Sequence, residues 1–391
     1  MTKTLALLID AYRELNAKRL FWVVMVISAL VVGIFGIVGI RNESVTILNW
    51  ESPLRFVYLS LISPATFYKL LFVSLGIQYW LSSLAIILAL VSAAGIFPDF
   101  LAGGSVELYL SKPISRLRLF TTKYFGGLLF VALQVTVFCV ATFLVLGFRG
   151  GAWEPGIFLA VPLVVLMFSY LFAVCVLLGV LTRSTVAALL LTLLFWFVVW
   201  AVHSSEVLLL RAEIVDQHQA QRLDKQIAAA EAELAQPTTA PTTRSTDDPN
   251  GPWWQRWLAS VPTETRIQTE ARLTDLRRER QAATDPFGPA HRIAYALTLP
   301  LPKTSETIGL LERELVSRAD LPAPEPDDDA IPTQENGRQG FRARGRENAA
   351  ANAQLDVELR QRSLTWVLGT SCTFEAATLI LAAWLFCRRD F

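Results

Sequence analysis

Charge is what this sequence lacks, and it lacks it in blocks. Only 18% of its 391 residues are Asp, Glu, Lys or Arg. Six stretches are nearly free of them: 20–40, 70–98, 124–148, 155–182, 184–205 and 363–387. Five hold none, and the sixth holds Glu375 alone. Each exceeds the roughly 18–20 apolar residues that carry a helix across a bilayer core. Lipid offers no water to backbone N–H and C=O groups, so each run is helical where it spans. A wholly water-soluble globular protein is excluded. The composition is that of an all-α polytopic membrane protein.

Other scarcities exclude chemistry. The four cysteines, Cys139, Cys175, Cys372 and Cys387, all lie in or at the ends of apolar runs. The hydrophilic part has none, so it carries no disulfide framework, and no spacing fits a zinc site. The three histidines, His203, His218 and His291, are scattered. No metal site and no cofactor are expected. No G-x-x-x-x-G-K-[S/T] run occurs, and no Ser/His/Asp or Cys/His arrangement is evident. The chain is therefore not expected to be an enzyme or to bind nucleotide by itself. A net charge of +1, with its charges segregated, gives no reason to expect nucleic acid as a partner. The N-terminal run is too long for a cleaved signal peptide and is preceded by Asp10 and Glu14.

The basic residues set the expected topology. With the N-terminus inside, Lys3, Arg13, Lys18, Arg19, Lys112, Arg116, Arg118, Lys123, Arg183, Arg388 and Arg389 are cytoplasmic. Only Arg41, Arg55, Lys69 and Arg149 fall in short outer loops. This bias places both termini in the cytoplasm of a bacterial inner (plasma) membrane and residues 206–362 outside. The competing arrangement keeps 206–362 in the cytoplasm with the fourth or fifth run re-entrant.

Residues 4–19 read as an amphipathic interfacial helix, with Leu5, Leu8, Ile9, Tyr12 and Leu15 on one face. Gly33, Gly36 and Gly39 in the first run drift around the helix, so they form a weak helix-packing signal. Residues 41–69 read as an outer loop on the membrane surface. The 206–362 insertion is mainly helical. Leu223, Ile227, Ala230 and Leu234 recur at helical spacing in a continuation of the fifth span. A second helix near 263–283 carries Ile267, Ala271, Leu273 and Leu276 as its apolar side. The two are expected to pair as an antiparallel hairpin. Between them, Trp253, Trp254 and Trp257 suit either a headgroup anchor or a small core. The Pro-rich stretch 286–302 is partly apolar and has a membrane contact as one reading. Residues about 321–346 have little to bury and read as a disordered linker. The expected division is thus 1–205, holding the N-terminal helix and spans one to five; 206–362, the extracytoplasmic insertion; and 363–391, span six with a cytoplasmic end.

The loop between spans two and three is the sharpest signal. Pro98 ends span two, Gly103 and Gly104 permit a turn, and Pro113 stops a short helix over 105–111. Ser115 suits an N-cap for the next helix. A short amphipathic helix near the membrane results, offering Glu107, Lys112 and Arg116 to a partner.

The run Glu107-Leu-Tyr-Leu-Ser-Lys-Pro-Ile-Ser-Arg116, followed by Lys123 and a span, resembles the ABC-2 class of ABC-transporter permeases. In particular it is similar to the branch that includes the permease of the nitrous-oxide-reductase maturation system. The resemblance covers 1–203 and 363–391, and the insertion of about 160 residues departs from it. It implies a coupling helix over Glu107, Lys112, Pro113 and Arg116 that docks on a separate ATPase subunit. It also implies a permease homodimer or heterodimer, surrounded by membrane lipid, that most often exports. A membrane anchor presenting an outer helical hairpin is the alternative function.

Two intramembrane polar residues stand apart. Glu375 lies near the middle of span six, where an ionisable group is costly and usually faces the bundle interior. Its expected structural partners are Thr136, Gln134 or Ser371; a functional role would be contact with a polar substrate or proton relay. Gln134 in span three poses the same question.

Overall fold

In the computed structural model the described residues are 19–41, 44–47, 50–55, 71–102, 115–151, 153–235, 264–282, 287–317, 350–355 and 357–388. The N-terminal helix expected over 4–19, the tryptophans at 253–257, and the linker at 321–346 lie outside them, residue 19 excepted.

The charge-free runs become helices because an apolar segment in lipid satisfies its backbone only within itself. Helix α1 spans Arg19–Ile37. A three-stranded antiparallel sheet follows, β1 Val38–Arg41, β2 Ser44–Ile47 and β3 Trp50–Arg55, in the order β1-β2-β3. Val38 pairs with Ile47, and Ser44 with both Arg41 and Arg55. The second span opens as a π-helix, Phe72–Leu84, and continues as α2, Ala85–Ala93. A short α3, Ile96–Ala102, completes it. Then come α4, Arg116–Gly150; a 3₁₀ turn, Pro155–Leu159, leading into α5, Ala160–Thr182; and α6, Thr185–Ala235. Next are α7, Glu264–Ala282; α8, Phe287–Thr298; α9, Thr304–Ser317; and α10, Leu364–Arg388.

Among the described residues, five helical stretches are long and apolar enough to cross a membrane: Leu75–Leu101, Arg116–Phe148, Pro155–Thr182, Thr185–Ala235 and Leu364–Arg388. They correspond to the second to sixth expected spans. The first is shorter, with its apolar helix covering Trp22–Ile37. The end of that charge-free run, and part of the expected 41–69 outer loop, form the sheet instead.

The chain divides into two compact units. The first comprises Met1–His203, Leu297–Ile331 and Arg362–Phe391; the second comprises Ser204–Ala296 and Pro332–Gln361. In the first unit α5 is central. It packs against α10, α4, α3, α2 and α9, and Tyr170, Phe168, Leu171 and Phe172 are fully buried. Phe172 stacks on Tyr124 at 5.3 Å and on Phe168 at 5.3 Å. The close approach of α4 to α5 needs Gly127, where a Cβ would fall 2.8 Å from Phe172. The outer faces of the spans carry bulky apolar residues such as Leu190, Leu194, Phe197 and Trp200, as surfaces solvated by lipid do.

Composition assigns all of 206–362 to one insertion, but α9 belongs to the membrane unit. Thr304, Thr307, Ile308, Leu310 and Leu311 are buried, and α9 packs on α5, the π-helix, the 3₁₀ turn and α10. Its apolar face is too short and too mixed with hydroxyls to register as a membrane segment.

In the second unit the expected antiparallel hairpin forms between α6 and α7. Arg277 bonds Glu231 at 2.7 Å and Arg280 bonds Asp224 at 2.8 Å, so rising numbers on one helix meet falling numbers on the other. Ala230, Leu273 and Leu276 are buried, whereas Ile267 is exposed. Residues 350–355 and 357–361 are helical. Ala351 and Leu355 close a small core with Leu210 and Ile214.

Candidate functional site

Two places in the membrane unit hold the residues singled out by sequence. The first is the end of the bundle where α3 closes at Ala102 and α4 opens at Arg116. Glu107, Lys112 and Pro113 lie outside the described residues; Arg116 lies at the first turn of α4. Ser115 caps that helix, accepting from the Arg118 N–H at 3.4 Å, as its position before an apolar run requires.

Both ends of segment 99–116 are fastened. Upstream, the Thr185 hydroxyl donates to Asp99 Oδ1 at 3.0 Å, joining α3 to the start of α6. Gly95 makes room for Asp99, since a Cβ there would fall 2.4 Å from Asp99 Oδ2. Pro98 seats on Gly179 of α5, where a Cβ would be 3.1 Å from its ring. Downstream, Arg116 Nη1 donates to the Cys387 carbonyl at 3.1 Å, joining α4 to the last turn of α10. A cation at a helix C-terminus is favourable because the last carbonyls point outward without partners. Phe97, Phe120 and Phe386 pack between these ties at centroid distances of 5.1–6.4 Å.

The α5–α6 turn lies at the same end. Arg183 adopts φ 53°, and its N–H bonds the Gly179 carbonyl at 3.0 Å. Ser184 then caps α6, accepting from the Ala187 N–H at 3.4 Å. Lys123 lies 5.5 Å above the Phe100 ring, and Arg388 lies 4.6 Å above Trp384. Arg116, Lys123, Arg183 and Arg388 thus lie at this end of the bundle.

The second place is intramembrane. The Tyr124 hydroxyl donates to Glu375 Oε1 at 2.7 Å and lies 3.3 Å from the Ser169 carbonyl. Among the described residues, none of the three partners expected for Glu375 is the group that bonds it. Thr136 donates to the Ala132 carbonyl, and Ser371 donates to the Val367 carbonyl while accepting from the Lys303 N–H. Gln134 is buried, and among the described residues its Nε2 finds no hydrogen-bond partner. It borders a small cavity with Ser28 and Trp80. Tyr124 carried a signal in the sequence, since it stands at the very start of a charge-free run.

At the opposite end of the same unit, sequence reasoning missed a buried charge cluster. Arg362 donates to Glu306 Oε1, with His203 Nδ1 3.9 Å from the same oxygen. The Lys303 ammonium reaches the carbonyls of Thr298, Leu299 and Leu301 at 3.3–3.5 Å and lies 4.3 Å above the Trp366 ring. Burial holds it below the ordinary lysine range; Arg362 adds to this and Glu306 opposes it. Among the described residues, no group of three or more His, Cys, Asp or Glu is placed to hold a metal ion.

No family model matches the chain, and neither does any curated protein or solved structure.

Proposed function

We propose that this chain is the membrane-spanning permease subunit of an ABC transporter, working as a homodimer or heterodimer with a separate ATPase subunit, and that it exports its substrate. It resides in a bacterial plasma membrane with both termini in the cytoplasm. Segment 99–116 is the coupling element. The observation that carries this reading is the double fastening of that segment. Asp99–Thr185 ties its entry to α6, and Arg116–Cys387 ties its exit to α10. A push on the segment is thereby delivered to two further spans, as a rigid-body switch requires.

The test is purification from the native membrane in mild detergent. A stoichiometric, ATP-hydrolysing subunit carrying a Walker motif should accompany the wild-type chain. Glu107→Lys and Arg116→Glu should release it while the permease elutes as a folded species. A wild-type complex without any ATP-hydrolysing subunit would contradict the proposal. The antiparallel α6–α7 arm favours the second reading, a membrane anchor that presents this hairpin to a partner; such a chain would keep its complex in both variants.

A further inference from the structure

Helix α8 is built inside out for life in water. At 3.6 residues per turn, Pro289, Ile293, Ala296 and Leu297 share one face. All four are exposed, Ile293 by 65% and Leu297 by 57%. The opposite face carries His291 and Tyr295, which turn inward. His291 Nδ1 is 2.8 Å from Glu213 Oε2, and its Nε2 is 3.5 Å from Glu206 Oε1. On α6 the same inversion appears two residues apart: Glu206 is fully buried while Leu208 is 65% exposed. A helix solvated by water hides its apolar stripe and shows its charges. A helix solvated by lipid does the reverse, because ionisable groups turn to protein partners.

Within the first unit, the exposed Leu299 and Pro300 border an open groove with Trp366, Gly369 and Phe374 of α10. Arg292 is exposed at the edge of the stripe, where a long cationic side chain can reach lipid phosphates while its stem stays apolar.

We infer that α8, together with the Glu206–Leu208 turn of α6, docks against the bilayer at the boundary between headgroups and acyl chains, with lipid as its partner. The His291–Glu206–Glu213 cluster is thereby screened from lipid on the protein side. The apolar stripe alone accounts for the placement, so it stands or falls independently of the permease reading.

Spin labels test it. In the full chain, Cys372→Ser and Cys387→Ser remove the exposed thiols, and Cys139 and Cys175 are buried. Leu208→Cys, Ile293→Cys and Leu297→Cys are labelled one at a time in nanodiscs of phosphatidylcholine and phosphatidylglycerol. Arg272→Cys, exposed on α7, serves as the comparison. Collisions with oxygen, relative to a water-soluble nickel chelate, should be several-fold higher at 208, 293 and 297 than at 272. Strong nickel relaxation at these three sites would overturn the inference. So would low accessibility to both reagents, which is the signature of a second protein surface covering the stripe.

Discussion

The Tyr124 hydroxyl sits 2.7 Å from Glu375 Oε1 and fastens α4 to α10 across 251 residues of sequence. Removing one partner of a buried hydrogen bond costs more than the bond itself contributes, because the other group is left desolvated. Tyr124→Phe should therefore lower stability by about 1–3 kcal/mol. Glu375→Gln, which keeps an acceptor for the tyrosine, should lie close to wild type. Thermal unfolding in nanodiscs checks both. Equal losses in the two variants would mean that an amide oxygen does not replace the Glu375 carboxyl as the acceptor of this hydrogen bond.

Glu306 and Arg362 form a second buried pair, 6% and 13% exposed. Breaking such a pair leaves an uncompensated charge, at a cost of about 3–5 kcal/mol. Glu306→Ala should be among the least stable single variants. The double variant Glu306→Leu with Arg362→Met should recover much of that loss, since neither charge then remains. Melting temperatures of the two singles and the double provide the comparison.

Gly127 and Gly33 separate tight packing from open surface. A Cβ at Gly127 meets Phe172 at 2.8 Å, whereas one at Gly33 meets nothing within 4 Å. Gly127→Ala should cost about 1–3 kcal/mol through overpacking. Gly33→Ala should be neutral, or stabilising by up to about 1 kcal/mol from helix propensity. Thermal unfolding read by tryptophan fluorescence distinguishes them.

Lys303 makes a pH-dependent contribution. Its folded pKa is lowered from the ordinary 10.5, chiefly by burial. The unfolded chain thus holds more protons than the native one between the lowered value and 10.5, and stability from this group rises with pH across that window. Lys303→Met should lack that alkaline gain when wild-type and variant unfolding are compared over the same pH series. A steeper rise in the variant would contradict the sign.

What was legible in the sequence follows from the range of each signal. Charge-free runs mark spans because lipid acts on every residue of a segment, and five of the six runs are membrane-length helices. Ser115 could be read as a cap because capping is decided within three residues. The hairpin of α6 and α7 was visible in its 3–4 spacing, although Ile267 turned out to be exposed. Periodicity on α8 shows that two faces exist but not which one faces protein, since that depends on Glu206 and Glu213 far away in sequence. The partnership of Tyr124 with Glu375, and the docking of α9 through Thr307 and Leu311, are likewise long-range packing decisions. Lys303 and Glu306 look like ordinary solvated charges in the sequence, and only the fold buries them.

The most direct trial of the account is the sidedness of residue 112. Lys112→Cys, in a chain with Cys372→Ser and Cys387→Ser, is exposed to a membrane-impermeant maleimide in right-side-out and inverted vesicles. Labelling is expected only in inverted vesicles, on the face where an ATPase would dock. Labelling from the outer face would contradict it.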